Sequence, residues 1–178
     1  MPIHRKRKPI RLIGYDYTQP GAYFVTICTH QRVPLFGTVA NGAMQLNACG
    51  RIAAAEWKHT AALRPDIAVD DFVVMPNHIH AIIVIYDSRD LVPQTPVEPH
   101  DPQFAHPVPG SLGTIVGAYK AAVTRQSRRL QDTISLPLWQ RNYHDHIIRT
   151  EHTYHTIRHY IRDNPRRWTQ DTYHPGNI

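Results

Sequence analysis

Two neighbouring stretches in the middle of the chain are apolar at almost every position and are short enough to be strands. The sequence FVVMPNHIHAIIVIY begins at Phe72, and Pro76-Asn77 interrupts it. Because proline and asparagine favour turns, we predict two strands, Ile67–Met75 and His78–Tyr86. The second strand has apolar residues on both faces, which predicts a central position in a sheet that helices cover on at least one side.

The N-terminal part of the chain predicts a strand, a hairpin and a helix. Gly21–His30 (GAYFVTICTH) is rich in aromatic and β-branched residues, as strands are. Asn41-Gly42 separates two short runs and predicts a hairpin turn. Asn47 precedes CGRIAAAEWKHTAAL, in which apolar residues recur at helical spacing, so we expect Asn47 to cap a helix.

Two more helices and a short strand complete the pattern. We predict a helix over Ser111–Leu130, where apolar residues form one stripe, and a short strand over Tyr143–Ile148. The last helix covers Glu151–Asn164 and ends there, because Pro165 disfavours a helical residue before it.

The order of these elements predicts the fold class. Strand, helix, strand, strand, helix, strand, helix, with a small inserted hairpin, is the order of a ferredoxin-like α+β sandwich. We therefore expect an antiparallel sheet with His78 and His80 on a central strand and helices packed on it. The whole chain, 1–178, is expected to be a single domain with a basic N-terminal arm (1–17), a proline-rich loop insert (87–110) and a C-terminal tail (166–178).

Composition narrows the class of protein. The chain has 178 residues and a formal net charge of +6, which favours a polyanionic partner, although many basic proteins bind no nucleic acid. Cys28 and Cys49 are too few for a disulfide scaffold and suit a reducing cytoplasm. We find neither the ~18–20 apolar residues of a membrane helix nor the apolar segment of a signal peptide. We therefore expect a cytoplasmic protein without a membrane partner.

Most of the excess positive charge lies in the C-terminal part of the chain. Residues 111–178 carry a net charge of +5, with Trp139, Tyr143 and Trp168 interleaved among the cations. Such a pattern favours contacts to a nucleic-acid backbone and stacking on bases, although each cation alone fits a solvated helix face equally well. The candidate DNA-binding residues are Lys120, Arg125, Arg128, Arg129, Arg141, Arg149, Arg162, Arg166 and Arg167.

The two histidines in the apolar strand need a partner. On a strand, residues i and i+2 point to the same face, so His78 and His80 project side by side. Two neutral imidazoles at this spacing can share one metal ion, or each can bond separately to a carbonyl group. Burial of two unpaired polar rings at the start of a central strand is costly, which moves the balance towards a metal.

The last helix offers a nucleophile. Tyr160 and Asn164 are four residues apart and therefore lie on one helical face. Together they could supply an attacking oxygen and a third, oxygen-type metal ligand, although a tyrosine on an amphipathic helix is more commonly a core residue. Cys28 and Cys49 lie in no recognisable Cys/His motif.

Several motifs in this order resemble one family. MPNHIH with its apolar strand, PLFG, NG and LN before it, and WQRNYHDHIIR and YIRDNP after it resemble the single-tyrosine HUH transposases of bacterial insertion sequences. The likeness extends over most of the chain and is greatest to the REP-associated tyrosine transposases.

The resemblance implies a specific chemistry. His78 and His80 would hold a divalent metal, Mg²⁺ or Mn²⁺, and Tyr160 would attack a phosphodiester of single-stranded DNA to form a 5′-phosphotyrosine. Asn164 would be the third metal ligand, with His155 and His159 as nearby alternatives. The implied substrate is hairpin DNA of the REP type beside a short guide sequence.

Three alternatives stay open at this point. The chain could be an autonomous insertion-sequence transposase that works as a homodimer with exchanged tyrosine helices, rather than a monomer. It could be a non-cleaving binder of structured nucleic acid, or a metalloenzyme that activates water while Tyr160 is structural. The chemistry that the resemblance implies requires the two imidazoles and the phenol to meet at one point.

Overall fold

The computed structural model describes residues 12, 14–87, 108–130 and 137–177. Of the predicted basic arm, residues 12 and 14–17 are described, and of the predicted proline-rich insert, residues 87 and 108–110; the rest of both segments lies outside the described residues. Within them, no helix has both the length and the apolar character needed to cross a lipid bilayer.

In the part of the chain that the structure describes, six strands and three α-helices follow one another in the predicted order. Most observed ends lie within two residues of those expected from the sequence. In chain order the elements are β1 Gly21–Cys28, β2 Gly37–Ala40, β3 Ala43–Leu46, α1 Ala48–Ala62, β4 Ile67–Val74, β5 His78–Ile85, α2 Leu112–Leu130, β6 His144–Ile148 and α3 Glu151–Asp163.

The local sequence explains where several elements begin and end. The side chain of Asn47 accepts a hydrogen bond from the backbone N–H of Gly50 and caps α1 as predicted. Asn41 and Gly42 both have positive φ, as a tight hairpin turn between β2 and β3 requires. At the end of α3, Asn164 keeps helical φ and ψ although Pro165 follows it, so the expected effect of proline on the preceding residue is not seen. The helix still ends within one residue of the predicted boundary.

The main sheet has four strands in the order β4-β5-β1-β6, and every neighbouring pair is antiparallel. β5 is therefore central, which confirms the predicted position of the histidine strand. β1 pairs with β5 along its full length, so that Thr26 lies opposite His80 and Cys28 lies opposite His78.

Helices cover both faces of this sheet, and alternate side chains of β5 point to opposite faces. Ile79, Ala81 and Ile83 belong to a large core beneath α1 and α2, which includes Trp57 and Tyr119. The residues between them face α3, where Ile82, Ile148 and Ile161 form a smaller core. His78 and His80 share the register of Ile82, so both rings lie on the α3 side.

Candidate active site

The histidine pair lies at the start of β5, immediately after the Pro76-Asn77 turn. Both rings are buried, with His78 fully inaccessible and His80 at 1% exposure, and their centroids are 4.4 Å apart. The sequence-based prediction that the two imidazoles project side by side is therefore confirmed.

Hydrogen bonds of Asn77 determine which nitrogen of His78 carries the proton. The Nδ2 atom of Asn77 donates to the carbonyl oxygens of Arg32 (3.0 Å) and Tyr173 (2.7 Å), which fixes the orientation of the amide. Its Oδ1 therefore faces Nδ1 of His78 at 2.9 Å. Because an amide oxygen only accepts, Nδ1 carries the proton and Nε2 of His78 presents a lone pair.

His80 lies between a threonine and the tyrosine of α3. Its Nδ1 is 2.8 Å from Oγ1 of Thr26 on β1, and its Nε2 is 3.1 Å from the hydroxyl oxygen of Tyr160. Phe24 stacks on the His80 ring and meets the Tyr160 ring edge-on. The phenol and the paired imidazoles therefore meet at one point within a single chain.

Burial shifts the protonation equilibria of all three groups. It lowers the pKa of His78 to about 3, with a further contribution from the charge of Arg32, and it holds the pKa of His80 well below its usual range. Both imidazoles are therefore neutral near pH 7, the form that binds a metal. Burial also raises the pKa of Tyr160 to about 12, against the opposing effects of Asn164 and Arg167.

Asp171 joins this cluster from the tail that follows α3. Its Oδ1 accepts from the backbone N–H of Tyr173 (2.6 Å) and its Oδ2 accepts from Nδ2 of Asn164 (2.9 Å). The same Oδ2 is 3.9 Å from Nε2 of His78. One ligand atom each from His78, His80 and Asp171 lies within 4.8 Å of the others.

The cluster contains more buried hydrogen-bond acceptors than donors. Nε2 of His78 and Oδ1 of Asn164 are buried without a hydrogen-bond partner, and the carboxylate of Asp171 is a further acceptor. Buried acceptors that face one another without a shared proton are unfavourable unless a cation lies among them. Two neutral imidazoles with amide and carboxylate oxygens make a suitable set of ligands for a divalent metal.

The other histidines of α3 lie apart from this cluster. His155 pairs with Glu151 on the exposed side of the helix (3.6 Å), and His159 is also exposed. Sequence reasoning missed Asp171, for which the available signal was weak: a single acidic residue in the tail after the basic pair Arg166-Arg167. It also missed Asn77 as the residue that orients His78.

The predicted DNA-binding cations fall into separate groups. Arg162, Arg166 and Arg167 line a groove of about 820 Å³ that also contains Tyr160 and the hairpin residue Gly42. The cations of α2 are on the opposite face of the sheet from Tyr160, and Arg141 and Arg149 are exposed beside β6. Of the predicted DNA-binding cations on α2, the exposed ones are Arg125, Arg128 and Arg129.

Lys120 and two of the aromatic residues are engaged within the protein. The amine of Lys120 donates to the carbonyl oxygens of Gln140 and Asn142, both at 3.0 Å, and burial lowers its pKa to about 8. Trp139 and Tyr143 are each 8% exposed and belong to the large core. Trp168 instead lies near the site, with its ring centroid 6.0 Å from that of His78.

Comparison with known proteins gives one clear relative in sequence and a likeness in fold. No family model matches the chain. An uncharacterized protein of Haemophilus influenzae is 39% identical over 172 residues, which cover 95% of this chain and 93% of that protein.

Among solved structures, a REP-associated tyrosine transposase bound to a REP hairpin matches with a TM-score of 0.52 and 17% identity, over 87% of this chain and 72% of that one. A candidate transposase from Deinococcus radiodurans matches with a TM-score of 0.46 and 18% identity, over 86% and 95% of the two chains. The chain therefore belongs to one family with the Haemophilus influenzae protein, and it shares the fold of the REP-associated tyrosine transposase that its motifs resemble.

Proposed function

We propose that this protein is a metal-dependent single-strand DNA endonuclease and strand transferase in which Tyr160 is the nucleophile. The observation that carries the proposal is the position of the Tyr160 hydroxyl, 3.1 Å from Nε2 of His80 and beside the cluster of His78 and Asp171. A tyrosine nucleophile needs its hydroxyl beside the groups that would hold the metal, and Tyr160 meets this requirement.

His78, His80 and Asp171 would hold the metal, with Oδ1 of Asn164 as a further oxygen ligand. We propose Mg²⁺ or Mn²⁺, of which Mn²⁺ accepts imidazole more readily. When bound, the metal supplies positive charge that offsets the charge growing on the phosphate and favours the deprotonated form of the phenol. Nδ1 of His78 and Nδ1 of His80, held by Asn77 and Thr26, keep the two rings oriented towards it.

The transfer step exchanges one phosphodiester for another. The phenolic oxygen of Tyr160 forms a bond to phosphorus while the bond from phosphorus to the 3′ oxygen breaks. The phenol gives up its proton and the departing 3′ oxygen takes one up, so the products are a 5′-phosphotyrosine and a free 3′-hydroxyl. Because the bond energy is kept in the protein–DNA ester, a second 3′-hydroxyl can reverse the step and join two strands without ATP.

The groove beside Tyr160 is the proposed path of the strand to be cut. Arg166 and Arg167 are exposed along it, and guanidinium groups bind phosphate oxygens in a bidentate manner. We propose a hairpin substrate because the similar solved transposase is bound to a REP hairpin. The cations of α2, Arg141 and Arg149 stay candidate contacts for the more distant parts of such a hairpin.

We propose that the protein works as a monomer, in which α3 brings Tyr160 to His80 of the same chain. An autonomous dimeric transposase with exchanged helices would instead bring Tyr160 to the histidines of a second chain. Both cysteines are free thiols, consistent with the reducing cytoplasm that we propose as the protein's location.

Replacement of the nucleophile tests the proposal. Labelled single-stranded hairpin DNA is incubated with Mn²⁺ and the wild-type protein, Tyr160→Phe, or the control Tyr86→Phe at an exposed position remote from the site. We expect a covalent adduct with the wild type and with the control, and none with Tyr160→Phe, whose hairpin affinity is unchanged. Undiminished cleavage by Tyr160→Phe would instead favour a metalloenzyme that uses water.

A second variant tests the metal ligands. His78→Ala is expected to reduce cleavage by orders of magnitude with little change in hairpin affinity, because phosphate contacts dominate affinity. His152→Ala removes an exposed histidine of α3 and serves as the matched control. Normal cleavage by His78→Ala with metal present would contradict the ligand assignment.

A further inference from the structure

An extra residue in β4 creates a pair of carboxylates that face α3. Val69 pairs with Ile83 and Phe72 pairs with Ala81, so two residues of β4, Asp70 and Asp71, lie opposite one residue of β5. In a regular strand two successive side chains point to opposite faces. The bulge removes this alternation, and both carboxylates contact the same helix.

Three residues of α3, each four positions from the next, contact the carboxylates of Asp70 and Asp71. The hydroxyl of Tyr154 donates to Asp70 (2.5 Å), and Nε of Arg158 donates to Asp71 (2.7 Å) and lies 3.3 Å from Asp70. Nε of Arg162 is 3.0 Å from Asp71. The contacts therefore extend over two turns of the helix, on the side that faces the edge strand β4.

The hydrophobic contacts of α3 form a narrow stripe along the helix. Ile161 is fully buried, and Ile157 and Tyr154 are partly buried and packed against the same small core. A narrow stripe resists separation of the helix from the sheet better than it resists a small roll of the helix about its own axis. The paired carboxylates bond to side chains at one edge of this stripe and can therefore resist a roll.

We propose that Asp70 and Asp71 are positioning residues that set the rotation of α3 and thereby aim Tyr160 at the metal cluster, an inference that rests on the proposed function. At 3.6 residues per turn, Tyr160 lies about 200° around the helix from both Arg158 and Arg162. The carboxylate contacts and the nucleophile are thus on opposite flanks of the same helix, with Ile161 between them. A roll of α3 that broke the carboxylate contacts would therefore also move the hydroxyl of Tyr160.

A small roll of α3 would displace the Tyr160 hydroxyl far enough to change the reaction rate. The phenolic oxygen of a tyrosine lies roughly 9 Å from the helix axis, so a roll of about 10° displaces it by roughly 1.5 Å. A misplacement of about 1 Å can cost on the order of 100-fold in rate. The partly exposed ion pairs would contribute little to stability and still control the rate.

The test separates position from binding and folding. Formation of the DNA adduct is timed at saturating hairpin DNA and Mn²⁺ for the wild type, Asp71→Asn, Asp71→Glu and the control Glu151→Gln, which removes an exposed carboxylate from the first turn of α3. We expect a 10–100-fold lower rate for Asp71→Asn, partial rescue by Asp71→Glu, and no change for the control. Because the DNA is saturating, a change in hairpin affinity through the released Arg162 does not affect this rate. An unchanged rate for Asp71→Asn would overturn the proposal.

A second measurement does not depend on catalysis. In the NMR spectrum, a cross-relaxation peak should connect the ring protons of Tyr160 and His80 in the wild type and weaken in Asp71→Asn and in Tyr154→Phe, which removes a single hydrogen bond. If the wild type forms no adduct, the proposed function fails and this peak alone decides the positioning. A peak of wild-type intensity in both variants would contradict a role of the carboxylates in aiming Tyr160.

Discussion

Asn77 is predicted to control metal affinity although it is not itself a ligand. Its buried amide makes three hydrogen bonds: two that it donates to the carbonyl groups of Arg32 and Tyr173, and one that its Oδ1 accepts from Nδ1 of His78. Asn77→Ala removes all three. Asn77→Asp keeps an acceptor for His78 but cannot donate to either carbonyl group.

The two variants should therefore differ in metal affinity while both lose stability. Each of these hydrogen bonds contributes about 1 kcal/mol net, so Asn77→Ala is expected to lower the free energy of unfolding by about 3 kcal/mol. Loss of the partner that orients a metal-bound histidine typically costs 10–100-fold in metal affinity, which corresponds to about 1.4–2.7 kcal/mol. Asn77→Asp should lose stability as well, but it should bind the metal at least tenfold more tightly than Asn77→Ala.

The assay is a Mn²⁺ titration followed by electron paramagnetic resonance of the free ion, together with urea unfolding of the metal-free proteins. Asn142→Ala, which changes an exposed amide, serves as the control. Nitrogen-15 NMR of the metal-free wild type should show the proton of His78 on Nδ1. A proton on Nε2 of His78, or an Asn77→Ala variant that binds Mn²⁺ as tightly as the wild type, would show that Asn77 does not control the metal ligand.

Three further predictions concern packing and charge. Ile161→Ala should lower the free energy of unfolding by about 2–5 kcal/mol in urea, whereas the exposed Leu63→Ala should change it by at most about 0.5 kcal/mol. Burial raises the pKa of Asp71, but its two arginine bonds outweigh this and hold the pKa below the ordinary 3.8. Ionised Asp71 therefore contributes to the free energy of unfolding above pH 3.8, and this contribution is lost as the pH falls below that value. The difference in urea midpoint between wild type and Asp71→Asn should shrink accordingly. Lys120→Met should reduce stability more than hairpin affinity, and Arg167→Ala the reverse, as urea unfolding and hairpin titration would show.

The sequence predicts most of the regular structure because local patterns determine it. The alternation in β5 depends on the two-residue period of a strand, so it correctly predicts that His78 and His80 share a face. The first strand ends at Cys28 rather than at the expected His30, because Gln31 and Arg32 take positive φ in the turn that follows. Such a turn has no glycine to announce it in the sequence.

Features that depend on tertiary contacts could not be predicted in this way. Asp71 looks like one of two charged residues in an ordinary strand, and only the shifted register shows that both carboxylates reach α3. Asp171 is eleven positions from Tyr160 and enters the site because the tail turns back over β5. Lys120 was expected to contact DNA, a role that stays a prediction, although its amine is bonded to two carbonyl groups inside the protein.

The proposed function requires that Tyr160 itself becomes joined to DNA. Mass spectrometry can detect this in peptides from wild-type protein that has reacted with a hairpin oligonucleotide and Mn²⁺. The peptide containing Tyr160 is expected to carry the 5′-phosphorylated DNA fragment on its phenolic oxygen. Attachment at a different residue, or cleaved DNA with a free 5′-phosphate and unmodified protein throughout the reaction, would contradict the proposed function.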